Sequence, residues 1–250
     1  MRLLPGNSAK SPLLAFCFSS IDSIRVPSKL FSSSGPDNLR SSIHLKDKEI
    51  IRSTRDWFER IVVGWNLCPF AARPSREGKL SYEIVRGTNE LDIISIVLGE
   101  CFVRQEKPGT TLVIAPECCP DDFRGYLEFV ATLQDEMLVK EDLADDIQIA
   151  PFHPLFEFED SDNGVDAWTN RSPYPLFHVL REDEVANAVE KLDGDSSKVW
   201  QRNINLLEDL EQIIGGETEL KEVIRGKSAE HDEIIQEVLK LHRFSLSDEK

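Results

Sequence analysis

The chain is predicted to be a single-domain α/β protein with a βαβαβ core, a fourth antiparallel strand and flanking helices. Three observations predict this. LSYEIV (80–85), TTLVIAP (110–116) and IQIAP (147–151) are short β-branched or apolar runs of strand length. The segments between them begin at capping residues and have helical length. Hydrophobic content of 40% with 30% charged residues suits a globular fold. Strands alternating with helices favour parallel pairing through right-handed crossovers.

The first element is a helix over KDKEIIRSTRDWFERIVVGWNL (46–67), whose Ile50, Ile51, Trp57, Phe58, Ile61, Val62 and Trp65 share one broad face. Pro69 stops it. A loop with Pro74 and Gly78 leads to strand 80–85. Thr88 or Asn89 caps a helix running to about Val103, and Pro108-Gly109 turns the chain into strand 110–116. Asp121 or Asp122 opens a long helix to about Leu143, followed by strand 147–151. A loop over 155–173 is rich in Asp, Asn and Gly. LFHVL (176–180) is read as the fourth strand, with a helix over 183–192; the rival reading makes 175–192 one helix with Pro175 in its first turn. A polar break follows Gly194, then a helix over 203–214 closed by Gly215-Gly216. Residues 217–243 form an acidic amphipathic stretch. It either docks on the domain or offers its face to a partner. The expected organisation is a leader over 1–45, a globular domain over 46–214 and a helical extension over 215–250.

The net charge of −16 argues against nonspecific nucleic-acid binding, which requires a basic partner for the phosphates. No apolar run approaches the roughly 20 residues of a membrane-spanning helix. Charge is unevenly spread: residues 1–45 balance at +3 and hold eleven serines, leaving −19 for the remainder. An acid-poor, Ser-rich, Arg/Lys-bearing start is the composition of a mitochondrial or plastid transit peptide; without such a leader the expected location is cytoplasmic. Cys17, Cys68, Cys101, Cys118 and Cys119 contain no CxxC spacing and form no disulfide scaffold, so no structural metal site is expected.

The chemistry-bearing residues gather in DAWTNRSPYPLFHVLRE (166–182). In a sheet of this kind, ligands sit beyond the carboxyl ends of the parallel strands. Strand 147–151 ends there at Phe152-His153-Pro154, and an antiparallel fourth strand would start at the same edge. That brings Asn170, Arg171, Ser172 and Tyr174 beside His153, on a backbone stiffened by Pro173 and Pro175. Arg171 can offer a bidentate fork to a carboxylate or phosphate, although it can equally pair with nearby acids. His153 and His178 are candidate proton carriers, and Cys68 is a candidate nucleophile. Each is also compatible with a structural role: a bonded histidine at a strand end, a satisfied core histidine, a buried thiol.

WNLCPFA (65–71), IAPFHPLFEF (149–158), TNRSPYPLFHVLRE (169–182) and RNINLL (202–207) occur in the order seen in domain of unknown function 1415, and the chain resembles that family over about residues 50–210. The resemblance implies no particular reaction. Its recurring blocks include positions matching Cys68, Pro69, Phe70, His153, Pro154, Asn170 through Pro175, His178, Leu180, Arg181 and Glu182.

The leading expectation is an enzyme acting on a small anionic substrate. Arg171 and Arg181 hold the anion, Asn170, Ser172, Tyr174 and Glu182 complete the binding set, and His153, His178 and Cys68 are the catalytic candidates. The cofactor, and whether a metal is bound, are left open. Two alternatives stand beside it: a non-catalytic module binding a small molecule or protein at the same edge, and an assembly protein whose residues 217–243 recruit a partner.

Overall fold

The computed structural model describes residues 40–158, 164–192, 195, 197–225 and 231–243. The expected leader therefore lies, for residues 1–39, outside the described residues.

Four strands form one mixed sheet: β1 (Leu80–Ile84), β2 (Thr110–Ile114), β3 (Ile147–Phe152) and β4 (Leu176–Arg181). Their spatial order is β1-β2-β4-β3. β1 and β2 pair in parallel, while β4 is inserted antiparallel to both β2 and β3. The strand reading of 176–180 thus holds over the helical one. β2 is buried along its whole length, as its β-branched and apolar residues suit a strand covered on both faces.

The helices are α1 (Arg40–Trp57), α2 (Ala72–Arg76), α3 (Glu90–Glu106), α4 (Phe123–Ala131), α5 (Glu182–Glu190), α6 (Ser197–Ile214), α7 (Glu217–Ile224) and α8 (Asp232–Leu241). Asn89 caps α3 by accepting from the amides of Leu91 and Asp92 at 2.9 and 3.2 Å. Asp122 caps α4 by accepting from Gly125 N–H at 2.9 Å. Two helices continue as π-helical turns, Phe58–Val63 after α1 and Thr132–Leu138 after α4. The first helix ends at Gly64, ahead of Pro69. A Cβ at Gly64 would lie 2.2 Å from the carbonyl oxygen of Arg60, so only glycine fits there.

Side-chain alternation assigns the sheet residues to two layers. Val113, Ile147, Ile149, Phe177 and Val179 face α3 and α4, meeting Val97, Cys101, Tyr126 and Leu133. Leu112 and Leu176 face the opposite layer, with Trp57, Phe58, Ile61 and Trp65. That layer is completed by the C-terminal helices, through Leu206 and Leu210 of α6, Leu220 and Val223 of α7, and Ile235 and Val238 of α8. Within the amphipathic stretch, the described helices α7 and α8 both turn their apolar faces into the core. Polar clamps fix them. Arg60 donates to the carbonyls of Val223 and Ile224 at the end of α7 (3.3 and 3.2 Å). Arg202 donates to the carbonyls of Trp65, Asn66 and His242, and Asn203 to that of Leu67 at 2.7 Å. The sequence blocks 65–71 and 202–207 meet in these bonds.

Leu220→Ala should therefore cost about 2–5 kcal/mol, as for other fully buried leucines. Urea unfolding reads this as a lower midpoint at unchanged slope. A loss within about 0.5 kcal/mol would mean that α7 lies on the surface.

Candidate functional site

The two segments expected at the carboxyl edge do meet. His153 N–H donates to the Asn170 carbonyl at 3.2 Å, and Ala115 N–H donates to that of Pro175 at 2.9 Å. The polar groups there largely satisfy one another. Asn170 is buried; it donates to the Pro151 carbonyl (3.3 Å) and accepts from Thr169 Oγ1 (2.8 Å). Ser172 Oγ donates to the Tyr174 carbonyl at 2.7 Å, and Tyr174 stands half-buried beside it. Arg171 Nε donates to the Phe156 carbonyl at 3.1 Å, and its guanidinium lies over the Trp168 ring, 4.2 Å from the centroid. Its Nη1 faces the exposed Glu217 carboxylate at 3.3 Å.

His153 is fully buried between Phe123 and Tyr126. Its Nδ1 accepts from Leu155 N–H at 3.0 Å, so its Nε2–H donates to the Cys119 carbonyl, also at 3.0 Å. Both nitrogens are engaged. Burial holds the imidazole below its ordinary pKa, partly offset by the bond to Cys119.

Arg181 and Glu182 lie at the other end of β4. Arg181 pairs in register with Ile147, donates to the carbonyls of Arg104 and Gln105 (2.7 and 2.9 Å) and forks onto Asp183. Glu182 N–H donates to the Asp146 carbonyl at 2.9 Å. Six strand residues, about 20 Å at 3.3 Å each, separate this end from Arg171's, so no small anion bridges the two arginines. Cys68 is part-buried against the α1-side layer. Burial pushes its thiol up, only partly offset by the amides of Phe70 and Ala71, so it stays protonated at neutral pH. Among the described residues, no group of three His, Cys, Asp or Glu side chains is arranged to hold a metal ion.

A second set of polar groups lies on the sheet face that α1 shares with the C-terminal helices. His178 falls between Phe177 and Val179 and so faces the α1 side, paired across the ladders with Leu112 and Ala150. Thr110 Oγ1 gives its one hydrogen to the Val179 carbonyl (2.7 Å). It must therefore accept from His178 Nε2–H at 2.6 Å. This fixes the tautomer and leaves the Nδ1 lone pair without a partner among the described residues. Burial lowers the His178 pKa to about 4.

Gln148 lies between Ile147 and Ile149 and faces the same way, one strand repeat from Ala150. It is buried, and both its Oε1 and its Nε2 lack hydrogen-bond partners. Thr54 Oγ1 and Trp57 Nε1 are likewise buried and unpartnered on the α1 side. The Tyr82 hydroxyl also lacks a well-formed hydrogen bond; Arg55 stacks over that ring at 5.1 Å. Each orphaned group costs about 1–3 kcal/mol. Trp57 contacts Phe152 (ring centroids 5.6 Å apart), and Phe152 contacts His178 (6.0 Å). Gln148, Trp57, Thr54 and Tyr82 were absent from the sequence-derived set. The one signal for them was a glutamine inside an apolar strand.

The histidine has a pH signature. The unfolded chain takes up the His178 proton near pH 6.5 and the folded chain only near 4. Between those values the unfolded state binds more protons, so stability falls as pH falls, by up to about 1.4 kcal/mol per unit. His178→Gln, which keeps a donor toward Thr110, should flatten the Tm–pH curve between pH 6.5 and 4. A variant curve parallel to the wild type would contradict this assignment.

The family model described as protein of unknown function (DUF1415) matches residues 49–214. No curated protein and no solved structure matches the chain. With most of its length covered by that match, the chain belongs to the DUF1415 family.

Proposed function

We propose that this protein binds a small uncharged polar molecule between α1 and the sheet, against Gln148 and His178. The observation that carries the proposal is Gln148, a buried carboxamide with neither atom hydrogen-bonded. Folded proteins rarely leave such a group unsatisfied unless a water or ligand completes it. The other unpartnered groups of the same layer are of one kind. His178 is neutral with an open acceptor, Trp57 offers an N–H, and Thr54 offers a hydroxyl. Neither Gln148 nor His178 supplies a counter-charge to a buried ion. An imidazole with a pKa near 4 is a weak base at neutral pH and serves better as a hydrogen-bond acceptor than as a proton carrier. The function is thus binding, with the Asn170–Pro175 loop as a brace.

A second reading keeps an anionic substrate at Arg171. Its support is the exposed Glu217 carboxylate on that guanidinium, a contact that a small anion can replace.

A thermal-shift screen of uncharged metabolites and of anions on the 250-residue chain separates the two. A ligand at a hundred times its Kd stabilises by about 2.7 kcal/mol, or roughly 5–10 °C for a protein of this size. Uncharged compounds should raise Tm in wild type and Arg171→Ala but not in Gln148→Met. Hits confined to anions, abolished by Arg171→Ala, would refute the first reading and support the second.

A further inference from the structure

We infer that the ligand of the site under α1 is a planar molecule carrying an amide-type edge, a hydrogen-bond donor beside an acceptor in one plane. The inference rests on the binding reading given above and narrows it to a chemical class. A primary carboxamide and a nucleobase both present such an edge.

Gln148 is the recognising group. Its Oε1 and Nε2 lie in one plane, one accepting and one donating, and both are buried without a hydrogen-bond partner. Two parallel bonds to a second amide-type edge satisfy both atoms at once. A single hydroxyl satisfies only one of them in that plane. Carboxamide side chains pair with nucleobase edges in this bidentate way. The small side chain of Ala150 separates Gln148 from the next residue on that strand face and is the cross-strand partner of His178. His178 Nδ1 then supplies a further acceptor toward the α1 side.

The rings agree with a flat guest. Trp57, Phe152 and His178 form a connected series, with interplanar angles of 73° and 54°. Aromatic faces at such angles present both ring edges and ring faces to a guest, and flat π-systems match them better than polyols do. Trp57 Nε1–H is an unpartnered donor within the same series. Each unpartnered group in this set is uncharged, and burial keeps His178 neutral at physiological pH. This separates an amide from its carboxylate analogue: the two have nearly the same shape, yet only the amide enters without a buried charge.

The test is a thermal-shift series on the full chain with matched probes. Nicotinamide and benzamide present a primary carboxamide, with nicotinate and benzoate as their charged counterparts. Adenine and uracil present nucleobase edges. Glucose and xylitol are uncharged but not planar. Nicotinamide and benzamide, or the nucleobases, should raise Tm by several degrees, and the carboxylates should not; which pair gives the larger shift identifies the source of the edge. Gln148→Met, an apolar replacement of similar shape, should unfold at the same or a higher temperature when free and lose the shift. Gln148→Glu has two acceptors and no donor once ionised, so raising the pH should replace its response to benzamide by one to benzamidine, whose amidinium offers two donors. Planar amides that shift Gln148→Met as strongly as wild type would overturn the inference. So would a Gln148-dependent response to glucose or xylitol without one to the planar probes, although the binding reading would then survive. Silence from every uncharged probe would overturn both.

Discussion

Two rows of hydrogen bonds hold β4 between β2 and β3, and the rest of the molecule takes its order from that insertion. A strand paired on both edges has no free edge, and its side chains alternate between the two layers, with only its Arg181 end reaching the surface. Phe177 and Val179 enter the layer under α3 and α4, while Leu176 and His178 enter the one under α1. A one-residue slip of register would exchange the two sets, placing an imidazole among Val97, Cys101 and Tyr126 and a phenylalanine against Thr110. The Thr110 hydroxyl guards against that slip. It bonds to the Val179 carbonyl and to His178 together, so strand register and histidine tautomer are fixed by the same atom.

The same insertion explains the long loop before β4. The chain leaves β3 at His153 and must re-enter beside β2 at Leu176, crossing the carboxyl edge. His153, Asn170, Arg171 and Ser172 bond mainly to backbone groups of that crossing and its neighbours. Tyr126 joins in from α4, where its hydroxyl donates to the Leu176 carbonyl and accepts from Phe152 N–H. The polar density of this segment thus follows from the need to satisfy the carbonyls of an irregular loop against a buried sheet end.

Much of the fold was legible because its causes are local. Asn89 and Asp122 announce their helices by side-chain capping, and the β-branched run at 110–114 announces a buried strand. The meeting of His153 with Asn170 followed from topology: an antiparallel strand must begin where its predecessor ends. The start of α6 at Ser197 was hidden by the polar run Gln201-Arg202-Asn203, whose Arg202 and Asn203 turn inward to carbonyls far away in sequence. The end of α7 at Ile224 was masked by a continuous amphipathic pattern. At the site the limit was different in kind. Sequence shows that Arg171 carries donors, not that Phe156 and Glu217 receive them. It shows a glutamine in a strand, not that every neighbour leaves its amide unanswered. Those facts depend on which distant groups arrive, and no periodicity encodes them.

The account rests on a neutral His178 that donates from Nε2 and keeps the Nδ1 lone pair open on the α1 side of the sheet. Long-range proton–nitrogen NMR on histidine-labelled protein at pH 7 reads this most directly, with assignment by comparison to a His178 variant. The account predicts a neutral imidazole protonated at Nε2, with an Nδ1 resonance typical of an unbonded acceptor. A doubly protonated ring, or a proton found on Nδ1, would contradict both the register argument and the site built on it.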